Sequence, residues 1–224
     1  SACAATIFGI TSISMDHGHI LGNNLIKIAK EKVAGIRRNS FVYSVFQNKD
    51  IELIIKNKCI NSHCILQFVK TNNQLQLSLK GSHQKENASL ALSIFTHIEP
   101  KFQKKEINSI LFNLNWFGRN QMLQNNPDII FDVAHNESGI LSFIQYINGK
   151  KKKYKKHYLL LSIQKHKNIK NVVKNIDKAF DTIIYSNANT DKSMHFEKIK
   201  DFFPRAIYIQ NPNDAIFYSL NKAD

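Results

Sequence analysis

Cysteine is scarce in this chain. Three cysteines in 224 residues, Cys3, Cys59 and Cys64, are odd in number and too sparse for a disulfide framework, which fits a reducing compartment. Cys59, His63 and Cys64 could supply three zinc ligands, but no second Cys/His pair follows at finger or ribbon spacing, so these thiols read as ordinary surface or core groups. Long apolar runs are missing too. Lys, Asn or Asp interrupts every apolar stretch within a dozen positions, short of the roughly 18 residues of a membrane span. The first residues, Ser1-Ala2-Cys3-Ala4-Ala5, lack the basic and apolar regions of a secretory signal. The expectation is a cytoplasmic protein with no membrane partner. Arginine is rare: of 31 basic residues four are Arg, namely Arg37, Arg38, Arg119 and Arg205. A net charge of +14 ordinarily points towards nucleic acid. Bidentate recognition of phosphates and bases draws on Arg, however, and the lysines are spread along the chain. The one concentration, residues 150–156, lies between an apparent helix and an apparent strand and reads as a solvated loop. Nucleic acid is therefore not the expected partner, and a basic nucleic-acid-binding module stands as the rival reading.

What is present is a core and a rhythm. With 43% apolar residues the chain can bury one large core or two modest ones. In the second half, residues 128–134 form a continuous apolar run of buried-strand length, and helical spacing follows through Ile140, Leu141, Phe143, Ile144 and Ile147. Strand-like and helix-like stretches then alternate: 157–163, 169–180, 182–185, 195–203, 206–209 and 214–220. Such a series predicts a mostly parallel, doubly wound α/β sheet with ligands gathered at strand carboxyl ends. The first half reads as strand 6–14, helix 24–34, strand 41–46 and helix 50–59, then a half-exposed strand at 74–79 by its polar/apolar alternation and a helix at 84–97. A polar connector at 99–106 precedes a change of character after Trp116. The expected domains are 1–115 and 116–224.

Asp16-His17-Gly18-His19 closes the first strand, where sites form. It stands within Thr11-Ser12-Ile13-Ser14-Met15-Asp16-His17, followed by Leu21-Gly22 and by Ile28-Ala29-Lys30-Glu31-Lys32-Val33-Ala34-Gly35-Ile36. In this order the three segments resemble the folylpolyglutamate and dihydrofolate synthases of the Mur ligase superfamily. Further motifs of that family follow in sequence: Gly81-Ser82-His83-Gln84-Lys85-Glu86-Asn87-Ala88, then Trp116-Phe117-Gly118-Arg119, then Asp132-Val133-Ala134-His135-Asn136. Together they run through nearly the whole chain.

The resemblance implies part of a Mur-ligase central ATPase domain followed by a Rossmann-like C-terminal domain. It also implies ATP-dependent ligation of L-glutamate to a dihydropteroate or folate carboxylate through an acyl phosphate, with ATP and Mg²⁺ as cofactors and a monomeric enzyme. By the matched motifs His17 is a Mg²⁺ ligand acting beside oxygen ligands. Lys32 is the carbamylated lysine, turned from cation to anion. Asn87 contacts the nucleotide, Arg119 reaches the ATP phosphates, and Asp132 is a nucleotide-contacting carboxylate. His135 lies near the phosphate or the incoming glutamate. A related ligase with another acid substrate is the alternative within the superfamily. The sequence departs from the pattern in lacking the Gly-Lys-Ser phosphate loop, in Trp-Phe-Gly-Arg where the family has Trp-Pro-Gly-Arg, in the extra Val33 and in Gln164-Lys165-His166-Lys167-Asn168. The expectation is a fragment truncated at both ends, inactive alone.

Overall fold

The structure is a computed structural model and describes residues 5–15, 24–101, 106–188 and 190–223. The chain divides into two compact units, Ser1–Trp116 and Phe117–Asp224.

In the first unit, strands β1 (Ile7–Ile10), β2 (Phe41–Val45) and β3 (Ile65–Val69) pair in parallel in that spatial order. Helices α1 (Leu25–Ala34) and α2 (Lys49–Asn61) lie between them in sequence, and α3 (Ser82–Ile98) and α4 (Ile107–Asn113) follow. Asparagines start the first two helices. The Asn24 carboxamide oxygen accepts the N–H groups of Ile26 and Lys27 at 2.9 and 3.3 Å, and that of Asn48 accepts Ile51 N–H at 3.0 Å; each satisfies donors that the first turn leaves orphaned. Because side chains alternate across a strand, β2 serves two cores. Val42 packs with Ile28, Ala29, Val33, Ile51 and Ile55 of α1 and α2, while Tyr43 and Val45 pack with Leu90 and Ile94 of α3. Helices thus cover both faces. Gly9 makes the close approach of α3 possible, since a Cβ there would sit 2.7 Å from Ile94 Cδ1.

Two expectations for this unit are corrected. Residues 74–79 form no strand. The segment is tied to helices instead: Ser78 N–H donates to Leu111 O at 3.2 Å, Asn72 N–H donates to Ser89 Oγ at 2.8 Å, and Leu75 is buried. One buried face produces alternation whether a strand or a helix pair covers it. The third strand is β3, which leaves α2 through a tight turn at His63 (φ 52).

The second unit opens with an antiparallel hairpin, β4 (Gln121–Gln124) and β5 (Ile129–Phe131). Helix α5 (Glu137–Lys150), β6 (Tyr158–Leu161), α6 (Val173–Ala179), β7 (Thr182–Tyr185), α7 (Phe196–Phe202), β8 (Ile207–Tyr208) and α8 (Pro212–Lys222) follow. Strands β6, β7 and β8 form a parallel sheet in that order. Ile183 and Tyr185 join a core with Ile140, Ile144, Ile147, Val172, Ile176 and Ile199; Ile184 is buried on the alternate face, and α8 packs near β6 and β7. The buried Tyr185 hydroxyl donates to Met194 O at 2.5 Å. The apolar run 128–134 is not a central buried strand: among the described residues β5 pairs only with β4, and Phe131 and Val133 are exposed.

Candidate functional site

In the first unit, Lys32 sits in the last turn of α1 with its side chain exposed, and Ile28, Ala29 and Val33 form the buried face of that helix. Val33, the extra residue of the motif, fills the core at 4% exposure. The helix ends at Ala34 and Gly35, so the rotation of about 100° that one inserted helical residue imposes is absorbed at its terminus.

Asn87 is half-buried in the second turn of α3. Gly81, in front of that helix, has φ 110, and Gln84 is buried beside it. Burial also pushes the carboxyl of the adjacent Glu86 above its usual range, which lowers its tendency to carry negative charge there. Lys32 and Asn87 belong to helices on opposite faces of the sheet. His17, with Asp16 and His19, lies outside the described residues. Among the described residues no group of three His, Cys, Asp or Glu side chains could hold a metal ion.

In the second unit three predicted residues are brought together. Residues 117–120 turn the chain into β4, and residues 132–136 leave β5 beside that turn. Gly118 has φ +71, and a Cβ there would meet Val133 Cγ1 at 2.5 Å; only glycine fits on both counts. Its N–H donates to Gln121 Oε1 at 3.1 Å, and its carbonyl accepts from Val133 N–H at 3.0 Å.

Asp132 binds both segments. Its Oδ2 accepts the N–H of Asn120 and its Oδ1 accepts the N–H of Ala134, each at 2.7 Å. The carboxylate therefore ties the turn carrying Arg119 to the segment carrying His135. Both of those side chains are exposed. His135 Nδ1 lies 3.0 Å from Val133 O; a carbonyl only accepts, so Nδ1 carries the proton and Nε2 is the basic nitrogen of the neutral ring. Asn136 then caps α5, accepting Gly139 N–H at 2.8 Å.

The arrangement offers a guanidinium, an imidazole and the start of a 14-residue helix on one rigid frame, a set suited to anionic oxygen. Sequence reasoning missed Asn120, buried at 4% with φ 46, and Gln121, which holds Gly118. An asparagine after Gly-Arg was a usable signal, because Asn tolerates the left-handed region.

The lysine concentration has local employment. Lys150 lies over the Tyr146 ring at 5.5 Å, Lys151 Nζ donates to Lys178 O at 2.8 Å at the end of α6, and Lys153 pairs with Asp128 at 3.4 Å. The Tyr154 hydroxyl donates to the same carboxylate. Cations at helix C-termini complement the helix dipole.

No protein-family model matches the chain. It is 24% identical to the dihydrofolate synthetase of Saccharomyces cerevisiae over 254 aligned positions, which cover 95% of this chain and 58% of that protein. Among solved structures, Mycobacterium tuberculosis folylpolyglutamate synthase complexed with ADP superposes with a TM-score of 0.85 at 19% identity, covering 97% of this chain and 56% of that one. Escherichia coli FolC in complex with DHPP and ADP gives 0.81 at 18%, covering 98% and 56%. The chain is thus a relative of the dihydrofolate and folylpolyglutamate synthases with the Mur ligase fold, and it spans about half the length of the proteins it matches.

Proposed function

We propose that this chain forms part of an ATP-dependent ligase that joins L-glutamate to a dihydropteroate or folate carboxylate, with Ser1–Trp116 contributing to the central ATPase domain and Phe117–Asp224 serving as the Rossmann-like C-terminal domain. The observation that carries this reading is the frame around Asp132, which presents Arg119 and His135 together, in a chain whose neighbours bind ADP. The acid carboxylate attacks the γ-phosphorus of ATP to give an acyl phosphate and ADP. The glutamate amine attacks the acyl carbon, losing a proton as phosphate departs. Nearly all the catalytic demand of the first step is charge control. Arg119 is assigned to the nucleotide phosphates, Asn87 to the nucleotide through its amide, and Asp132 to both nucleotide contact and support of the turn. His135, basic at Nε2, is placed by the motif near the phosphate or the amine. Lys32, carbamylated, is assigned an anionic role beside Mg²⁺ and His17. Mg²⁺ would neutralise phosphate charge; the described residues contain no metal site through which to route a step.

The test is glutamate incorporation by this chain fused to the segment of the yeast relative that it does not align with. ATP- and dihydropteroate- or folate-dependent incorporation is expected, with Arg119→Ala lowering kcat on the order of 10²–10³-fold. A folded, ADP-binding fusion that incorporates no glutamate contradicts the proposal.

A further inference from the structure

Helix α2 ends in a Schellman arrangement. Cys64 N–H donates to Cys59 O at 2.9 Å, His63 N–H donates to Ile60 O at 3.1 Å, and His63 between them is left-handed at φ 52. This motif characteristically brings together the side chains at the two ends of its longer hydrogen bond, usually as an apolar contact. Here both are cysteines. Standard bond lengths on either side of the Cys59–Cys64 backbone bond cap the Cα–Cα separation at about 6.8 Å, the outer limit of the range that disulfides span. Both residues pack on one core cluster with Ile55 and Leu66, and the neighbouring Cys64 is the second cause, after burial, that pushes the Cys59 thiol up to about 11. The two differ in access: Cys59 is 2% exposed, whereas Cys64 is half-buried and its thiol donates to Arg37 O at 3.0 Å and contacts Ser40 Oγ at 3.3 Å.

We propose that Cys59 and Cys64 are a redox-reactive thiol pair that closes to an intrachain disulfide on exchange with a low-molecular-weight disulfide such as oxidised glutathione. The accessible Cys64 thiolate attacks one glutathione sulfur, breaking that S–S bond and releasing one glutathione thiolate. Cys59, after losing its proton, attacks the Cys64 sulfur of the mixed disulfide and expels the second glutathione. Two protein S–H bonds are lost, one S–S bond forms, and one glutathione disulfide is reduced to two thiols. Cys64 then no longer donates to Arg37 O, so oxidation releases one tie between the α2–β3 turn and the turn that follows α1.

The experiment uses the full chain with Cys3→Ser, so that only these two thiols report. After incubation with oxidised glutathione and quenching with acid, tryptic peptides are weighed without reduction. Cleavage after Lys58 and Lys70 leaves both cysteines in one peptide. The expected result is that peptide lighter by two hydrogens and no longer labelled by iodoacetamide, with dithiothreitol restoring both properties. Cys59→Ala should instead retain one glutathionyl group on Cys64, a readout that survives even if closure in the parent is too fast to show the intermediate. A parent peptide that stays glutathionylated, remains fully labelled, or links two chains would overturn the proposal.

Discussion

At the residue scale the arrangement rests on a few side chains with no substitute. Gly118 combines a positive φ with a Cβ position that Val133 already fills. Gly118→Ala should therefore destabilise the second unit by ~1–3 kcal/mol, read as a lowered denaturation midpoint, and should weaken ADP binding in parallel. Asp128 is a second case. The Tyr154 hydroxyl, and after it Lys153, hold its carboxyl below the ordinary value of 3.8. A depressed folded pKa contributes stability above the ordinary carboxylate range that is lost as pH falls through the folded value. Tyr154→Phe should move the NMR titration midpoint of Asp128 upward, and an unmoved midpoint would show that the hydroxyl has no such effect. The places of individual residues were legible to unequal degrees. The motif singled out Asp132 but not its double acceptance from Asn120 and Ala134, which depends on a turn twelve residues earlier whose local sign is the asparagine after Gly-Arg. Val33 looked disruptive in sequence and is an ordinary core residue in the structure.

At the scale of elements, the alternation of strand and helix from residue 157 onward was readable because short apolar strands are separated by helices that bury residues such as Val172, Ile176 and Ile199 in one core. The failures share a cause: periodicity reports that one face is buried without saying what buries it. Residues 74–79 alternate against helices α3 and α4, and residues 129–131 are apolar yet, among the described residues, pair only with the short β4. Strand β3 was missed because Ile65-Leu66-Gln67-Phe68-Val69 follows α2 without the usual glycine or proline; His63 makes the turn. The link between the 117–120 turn and the strand end makes its own prediction. Asp132→Ala leaves two backbone donors unmatched, so the amides of Asn120 and Ala134 should pass into fast hydrogen exchange at a cost of about 1–3 kcal/mol to the second unit. Asp132→Asn, with one acceptor oxygen, should protect at most one of them. Unchanged protection of both amides in the alanine variant would show that the carboxylate is not the tie.

For the whole molecule, two compact units, residues 1–116 with a core on each face of its sheet and residues 117–224 with a core of its own, account for a chain whose composition left the domain count open. In the densest run of positive charge Lys150, Lys151 and Lys153 stack on a ring, cap a helix and pair with a carboxylate. The proposed place of this chain in a nucleotide-using ligase rests on similarity along 95% of its length to a dihydrofolate synthetase and on the frame of Arg119, Asp132 and His135. The central claim is that this frame addresses the phosphates of an adenine nucleotide, and the direct measurement is a titration of the ¹⁵N-labelled chain with ADP, followed amide by amide. The account predicts saturable shifts centred on Gly118, Arg119, Ala134 and His135, abolished by Arg119→Ala. Shifts centred on residues 150–156, or none at saturating ADP, would contradict it.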